Sequence, residues 1–151
     1  MQTHSSRKIV ALMFTDIVGF SRQMGSNEDL TLKKLEIHHK IIRESIHDYA
    51  GNEIKTIGDA FLVEFESSVK AIHCAVEIQK KFHEYNSERS QQEAINVRIG
   101  IHVGDITMTN GDILGDGVNI ASRIQPLADP GGICISQDVA NQIRGKFELP
   151  L

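Results

Sequence analysis

Residues 52–65 read NEIKTIGDAFLVEF, and their pattern predicts the central feature of the fold. Gly58 and Asp59 separate two short apolar runs, and such a pair between apolar runs is a strong signal for a β-hairpin. Two antiparallel strands are therefore predicted near the middle of the chain. Asp59, taken alone, is most simply an exposed turn residue.

The segments around the hairpin complete a recognisable order of elements. KIVALMF at residues 8–14 has the continuous apolar character of a buried strand, and INVRIGIHV at 95–103 predicts another. Helices are predicted from residue 27 or 29 to 50 and from about 67 to 89. The resulting order is strand, helix, strand, strand, helix, strand. This order is typical of an α+β, ferredoxin-like (βαββαβ) palm-type antiparallel sheet with both helices on one face.

Apolar periodicity also predicts which helix residues face the core. The first helix has an inward stripe of Leu35, His39, Ile42, Ile46 and Tyr49, and the second turns Val69, Ile72, Val76 and Phe82 inward. C-terminal α/β additions should follow. They comprise the NGDIL segment, a helix from residue 115 to about 127, the strand GICI at 132–135 and a helix over 136–144.

The composition predicts one cytoplasmic domain over residues 1–151, with residues 1–7 flexible. The 151 residues are 40% hydrophobic, which is enough for one sizeable core, and they contain no transmembrane run and no leader. Cys74 and Cys134 lack metal-ligand spacing and are interpreted as reduced core residues. A net charge of −4 without a long basic run argues against nucleic acid as a partner.

A second acid lies near Asp59 if the fold is correct. FTDIVGFS at residues 14–21 places Asp16 at the end of the first strand. That strand pairs antiparallel with the third in a ferredoxin-like sheet, so Asp16 should lie near Asp59. Alone, Asp16 would be a turn residue or an N-cap. Two carboxylates at one edge repel each other unless a cation lies between them, and oxygen ligands suit Mg²⁺ or Mn²⁺.

The residues after Asp16 add donors for phosphate. Ile17, Gly19, Phe20 and Ser21 offer successive backbone N–H groups, and Gly19 allows the close approach that phosphate oxygens need. Such turns are also common where no anion binds. Acids beside an amide-rich turn indicate a metal–nucleoside triphosphate site, although a polymerase palm would fit equally well.

Four further residues could each be structural or functional when considered alone. Asn119 and Arg123 are four apart and share a helical face, as surface residues often do. Lys55 lies in the hairpin, where strand alternation puts Ile54 and Thr56 on the other face. Asp112 could be only a turn acid.

Taken in order, these motifs resemble a known family. FTDIVGFS, IKTIGDAF, VRIGIHVGD and GDILGDGVNIASRI are similar to the signatures of class III nucleotidyl cyclases, and the resemblance runs from about Arg7 to Leu151. It implies an adenylate cyclase that converts ATP to 3′,5′-cyclic AMP and pyrophosphate with two divalent cations, Mg²⁺ or Mn²⁺. It also implies a homodimer with shared active sites, and an upstream regulatory domain or protein can accompany such domains.

The resemblance assigns each residue a role. Asp16, Ile17 and Asp59 correspond to the metal ligands, and Lys55 and Asp112 to the pair that reads the purine. Asn119 orients the ribose, Arg123 stabilises the transition state and Arg98 contacts the terminal phosphates. Ile17, Gly19, Phe20 and Ser21 correspond to the substrate-binding turn. Lys55 can donate to adenine N1 and Asp112 can accept from N6, whereas guanine would mismatch both contacts, so ATP is expected over GTP.

The chain departs from the family in two places. DITMTNG at 105–111 is shorter than the arm many members use in dimer contacts, and GKFELPL at 145–151 ends before strands that usually carry a phosphate-contacting lysine. The family's C-terminal strands are therefore expected to be truncated. The alternatives are a weakly active, nucleotide-binding regulatory module, a guanylate cyclase, and a palm polymerase or diguanylate-forming enzyme. The last would need neither Lys55 with Asp112 nor Asn119 with Arg123.

Overall fold

The computed structural model describes residues 5–110 and 112–146. Its elements in chain order are β1 (Ser5–Ile17), α1 (Phe20–Ser26), α2 (Glu28–Asp48), β2 (Asn52–Ile57), β3 (Ala60–Phe65), α3 (Ser68–Ser87), β4 (Val97–Thr109), β5 (Asp112–Leu114), α4 (Asp116–Ile124), a 3₁₀ helix (Gln125–Leu127), β6 (Ile133–Ile135) and α5 (Gln137–Ile143).

The sheet has the predicted ferredoxin-like topology. Its strands lie in the order β2-β3-β1-β4-β5, and β6 pairs parallel with β4. β1 pairs antiparallel with β3, from Ala11 opposite Phe65 to Thr15 opposite Phe61. The end of β1 therefore lies beside the start of β3, and the predicted hairpin is confirmed as β2, a turn and β3.

Both faces of the sheet are buried, which explains the unbroken apolar run in β1. Ala11 and Met13 belong to the core under α2 and α3. Val10, Leu12 and Phe14 point the other way and pack with Ala121 of α4. The second core fixes α4 against the sheet face opposite the two long helices.

The two long helices begin at side-chain caps. Asn27 accepts a hydrogen bond from the Leu30 backbone at the start of α2, and Ser67 accepts one from the Lys70 backbone at the start of α3. Glu28 and Asp29 in the first turn of α2 also favour its N-terminus. Both helices end two residues before the predicted limits.

One side-chain prediction for these helices was wrong, and one buried histidine was missed. His39 is half-buried and lies at the edge of the core, whereas the fully buried histidine of α2 is His38, which the predicted stripe did not include. Val76 is 38% exposed because the buried stripe of α3 runs through Ala75 and Ile78 instead. Adjacent helix positions differ by about 100° around the axis, so a one-residue error moves a side chain off the core face.

A bulge in β2 overturns the predicted position of Ile54 relative to Lys55, whereas Thr56, opposite Phe61, lies on the other face as predicted. The pairing shifts between Glu53 and Lys55, which leaves Lys55 opposite Leu62. Ile54 packs on the same core cluster that contains Leu62. Because a bulge adds one residue to a strand, Ile54 and Lys55 lie toward the same face instead of opposite faces.

Three segments differ from expectation near the chain's turns. Helix α1 was not predicted. The short segment expected as an arm forms a hairpin in which Thr109 of β4 pairs with Asp112 of β5, and Asn110 in its turn has φ 52°. The flexible segment predicted for 1–7 is wrong for residues 5–7, which pair with β4, while residues 1–4 lie outside the described part of the chain.

The predicted C-terminal truncation concerns a segment that mostly lies outside the described residues, at 147–151. Cys74 is buried, Cys134 is half-buried and both are free thiols, as predicted. Burial raises the pKa of Cys74 to about 12. Among the described residues, no helix combines the length and apolarity needed to cross a bilayer.

Candidate active site

Asp16 and Asp59 lie at the same edge of the sheet, where the antiparallel topology predicted them. Asp16 is the penultimate residue of β1, and Asp59 lies in the turn that precedes β3. The backbone N–H of Ile17 donates to Asp59 Oδ2 at 2.6 Å, which ties the hairpin turn to the end of β1. The three predicted metal ligands, Asp16, Ile17 and Asp59, therefore form one cluster.

The electrostatics of this cluster favour a cation. Burial, followed by the nearby charge of Asp59, raises the pKa of Asp16, whereas a hydrogen bond from Gln125 and the charge of Arg98 act in the opposite direction. Within the described ranges neither carboxylate forms an ion pair. The charge of this acid pair is therefore only partly compensated by the protein.

The donor set fits Mg²⁺ or Mn²⁺ better than a softer metal. Both side chains that could bind a metal here are carboxylates. The described residues contain no group of three or more His, Cys, Asp or Glu side chains that could hold an ion. Mg²⁺ commonly uses one or two carboxylates and takes its other ligands from water and substrate phosphates. An ion shared between protein and nucleotide suits this site.

The predicted phosphate turn leads directly into α1. Gly19 has φ 75°, a left-handed conformation that favours glycine, and the helix begins at Phe20. No side chain caps the first turn of α1. Phe20 packs against the main core and Ser21 is exposed, so the turn is anchored at one residue and open at the next.

Lys55 and Asp112 are in contact although they lie on the two outer strands of the β2-β3-β1-β4-β5 path. Lys55 Nζ lies 3.2 Å from Asp112 Oδ1. The backbone N–H of Ile113, at 2.7 Å, and then Lys55 lower the pKa of Asp112. The two side chains are partly exposed, so both remain accessible to a ligand.

Asn119 and Arg123 lie on the exposed side of α4. Within residues 5–110 and 112–146, neither side chain takes part in an ion pair or in a hydrogen bond to the acids; the Asn119 carbonyl accepts from the Ser122 hydroxyl at 2.7 Å. The structure thus brings Lys55 to Asp112 and Asp16 to Asp59, and among the described residues it shows no hydrogen bond or ion pair between Asn119 or Arg123 and these two acids.

Arg98 lies next to Asp16 in the sheet. The two residues are direct partners in the β1–β4 pairing, and Arg98 Nε donates to the Ala128 carbonyl at 2.8 Å. That bond fastens the segment after the 3₁₀ helix to β4. The guanidinium also keeps a positive charge close to the acid cluster.

One polar contact of the cluster had no signal in the sequence. Gln125 is buried, and its Nε2 donates to Asp16 Oδ1 at 2.7 Å. Gly100 makes this approach possible, because a Cβ there would lie 2.5 Å from the Gln125 Cα and backbone N. A glutamine at a helix end 109 residues from Asp16 gives no sequence pattern that would identify it.

A cavity of about 430 Å³ lies elsewhere, between β4 and the start of α4. Arg7, His102, Asp105, Asp116 and Asp138 are among its lining residues, and none of the predicted site residues lines it.

The fold is that of a palm-type α+β domain, and comparison with known proteins identifies its family. The family model described as the adenylate and guanylate cyclase catalytic domain matches residues 2–150. The chain belongs to this family.

Individual relatives agree with this placement. An adenylate/guanylate cyclase/hydrolase from Silicibacter pomeroyi has a TM-score of 0.91 at 34% identity, over 97% of this chain and 86% of that one. A monomeric guanylyl cyclase domain of a RhoGC fusion protein from Blastocladiella emersonii has a TM-score of 0.83 at 25% identity, over 98% and 91%. A Rhizobium meliloti (strain 1021) protein, provisionally named adenylate cyclase 3, is 37% identical over 95% of this chain and 24% of its own length.

The chain is short compared with its curated relatives. It spans 24% of the Rhizobium protein and 17% of a Myxococcus xanthus protein named serine/threonine-protein kinase pkn2. The similarity therefore covers only one part of these larger proteins.

Proposed function

We propose that this domain is an adenylate cyclase, which converts ATP to 3′,5′-cyclic AMP and pyrophosphate. The observation that carries the proposal is the 3.2 Å contact between Lys55 and Asp112. The pair sets one donor beside one acceptor, the arrangement that complements adenine N1 and the N6 amino group. Guanine presents a donor at N1 and an acceptor at O6, so it would leave both protein groups mismatched.

The acids supply the other half of the site. Two divalent cations, when bound by Asp16, Ile17 and Asp59, would activate the ribose 3′-hydroxyl for attack on the α-phosphorus and neutralise the departing pyrophosphate. The two carboxylates supply the negative charge that would bind these cations. The backbone N–H groups after Asp16 and the guanidinium of Arg98 would bind the phosphate oxygens.

Asn119 and Arg123 would complete the site from a second chain. Asn119 would orient the ribose, and Arg123 would meet the charge that grows on the α-phosphoryl oxygens, where one preorganised donor is commonly worth ~3–4 kcal/mol. Their exposure on α4 supports a supply in trans, because they do not contact their own acids. In a closed two-fold homodimer, each chain gives acids to one site and the α4 face to the other.

Exposed apolar residues near these groups support such an interface. Ile57 is 56% exposed, Ile120 36% and Leu127 73%. Ile57 adjoins the turn that carries Asp59, and the other two flank Arg123 in sequence. A second chain would remove this apolar surface from water.

A second candidate activity is that of a guanylate cyclase, because the similar Blastocladiella domain is named a guanylyl cyclase domain. A nucleotide-binding regulatory module is the third outcome. The great length of the curated relatives suggests an upstream regulatory domain or protein, and we place the domain in the cytoplasm as part of the same proposal.

Cyclic nucleotide output tests the proposal. The purified protein is incubated with ATP or GTP and with Mg²⁺ or Mn²⁺, and cyclic AMP and cyclic GMP are quantified, with Asp59→Asn as the inactive control. We expect cyclic AMP from ATP in excess of cyclic GMP from GTP. Cyclic GMP as the main product would make the domain a guanylate cyclase, and nucleotide binding without either product would make it a regulatory module.

A further inference from the structure

Gln125 is the one described side chain that donates a hydrogen bond to Asp16. It occupies this place because the segment around it is held in several ways. The absence of a side chain at Gly100 lets the Gln125 backbone pack directly on β4. Arg98 Nε binds the Ala128 carbonyl, and the Gly131 N–H donates to the Val97 carbonyl at 2.9 Å. The amide of Gln125 is therefore presented to Asp16 by a rigid support.

We infer that Gln125 is a positioning residue for the metal-binding carboxylate of Asp16. The Gln125 Nε2–H group donates a hydrogen bond to Asp16 Oδ1 and so fixes the rotation of the carboxylate. Asp16 Oδ2 then remains available to bind a cation. Asp16 needs such a partner because it is half-buried beside Asp59 and has no ion-pair partner among the described residues. A neutral amide can orient the acid and leave its negative charge available to the cation. A lysine would instead neutralise part of that charge.

This inference rests on the metal site of the proposed function, and it makes a separate statement about affinity. Residues that orient a metal ligand through a hydrogen bond commonly contribute 10–100-fold to metal affinity. Removing the amide of Gln125 should therefore weaken the metal site while the acids themselves remain.

Gln79 provides a matched control. Its Nε2 donates to the carbonyls of Val97 and Gly132 at 2.9 and 2.8 Å, so it fastens the same segment to the same strand. It does not contact Asp16. Gln79→Met should loosen the support to an extent comparable with Gln125→Met, and it should leave the hydrogen bond to the acid in place.

The test is direct Mn²⁺ binding, followed by electron paramagnetic resonance of the free ion with no nucleotide present. Mn²⁺ is titrated into the wild type, Gln125→Met, Gln125→Asn, Gln79→Met and Asp16→Asn, and the thermal midpoint of each protein is measured alongside. Methionine fills the space without an N–H, and asparagine keeps an amide that is too short, so one variant remains informative if the other does not fold. We expect about 10–100-fold weaker binding in both Gln125 variants and a change of less than about twofold in Gln79→Met.

The other results overturn the inference in distinguishable ways. Wild-type affinity in the Gln125 variants, or an equal loss in Gln79→Met at an equal loss of thermal midpoint, would show that Gln125 only supports the packing. If the wild type bound Mn²⁺ no better than Asp16→Asn, the metal site would be wrong, and the proposed function would fail with it.

Discussion

Lys55 Nζ and Asp112 Oδ1 lie 3.2 Å apart, although their strands, β2 and β5, lie at the two ends of the strand path β2-β3-β1-β4-β5. Ile54 and Ile113, their neighbours in sequence, belong to one apolar cluster on the face covered by α4. The bulge in β2 turns Lys55 toward this face. The contact is thus a product of tertiary structure, and it assembles a donor and an acceptor before any ligand arrives.

Base selection should follow the polarity of this pair. Lys55→Glu combined with Asp112→Cys should weaken discrimination against GTP, because glutamate can accept from guanine N1–H and cysteine no longer repels O6. The measurement is the ratio of kcat/KM for ATP to that for GTP. We expect this ratio to fall by at least about tenfold, which corresponds to ~1.4 kcal/mol. An unchanged ratio would mean that these two residues do not read the base.

The two acids should be essential for turnover, and the charge of Asp16 should destabilise the metal-free fold. Asp16→Asn and Asp59→Asn should each abolish cyclic AMP formation while leaving a folded protein. Because folding raises the pKa of Asp16, its ionised form opposes folding above that pKa, and this cost disappears as the pH falls through it. Metal-free Asp16→Asn should therefore have a higher thermal midpoint than the wild type at pH 7. Asp129→Asn, at an exposed acid, is the control and should change neither property.

Close packing at Gly100 should be needed for both stability and activity. In Gly100→Ala the new Cβ would meet the backbone of Gln125 at 2.5 Å, so the 3₁₀ helix would have to move. We expect a loss of ~1–3 kcal/mol in the free energy of unfolding, together with a lower kcat. Gly25→Ala is the matched control, since nothing lies within 4 Å of the Cβ it would add. Equal effects of the two changes on urea denaturation would contradict this account of Gly100.

His38 should make the fold sensitive to acid. Burial, followed by the charges of His39 and Arg43, lowers the pKa of His38 to about 3, and its ring stacks on Phe82 with centroids 5.7 Å apart. The unfolded chain binds a proton near pH 6.5 and the folded chain does not, so stability is complete above about pH 6.5 and falls as the pH is lowered toward 3.

The measurement is the free energy of unfolding in urea at several pH values from 7 to 4.5. His38 should account for a loss of up to about 1.4 kcal/mol per pH unit, which His38→Phe should remove from the slope. His47→Phe changes an exposed histidine and should keep the wild-type slope. If His38→Phe were as sensitive to acid as the wild type, another group would be responsible.

The sequence was sufficient for the topology because local patterns mark it. β1 is apolar at successive positions since both of its faces are covered, and Gly58 at φ 61° supplies the turn of the β2–β3 hairpin. Pairing β1 with β3 then brings Asp16 to Asp59 without any further information. α1 was missed because it has only seven residues and no buried stripe.

The finer arrangement of the site depends on contacts that no local pattern records. Strand alternation could not locate the bulge that reorients Lys55. The full burial of His38 depends on tertiary packing, in which its ring stacks on Phe82 of α3. Gln125 reaches Asp16 only because a distant glycine, Gly100, lets two backbones approach. Such features follow from tertiary packing, which local sequence patterns do not encode.

We propose that each active site combines the acids of one chain with the α4 face of another, and subunit complementation can test this sharing. Asp16→Ala and Arg123→Ala homodimers should both be nearly inactive, because every site lacks one essential group. Mixed in equal amounts and allowed to exchange, about half the dimers become heterodimers, each with one intact site, so about a quarter of wild-type cyclic AMP formation should return. The recovery should increase with time and with protein concentration around the dimer Kd. If fully exchanged mixtures with measured heterodimers stayed as inactive as their parents, the shared site would be contradicted.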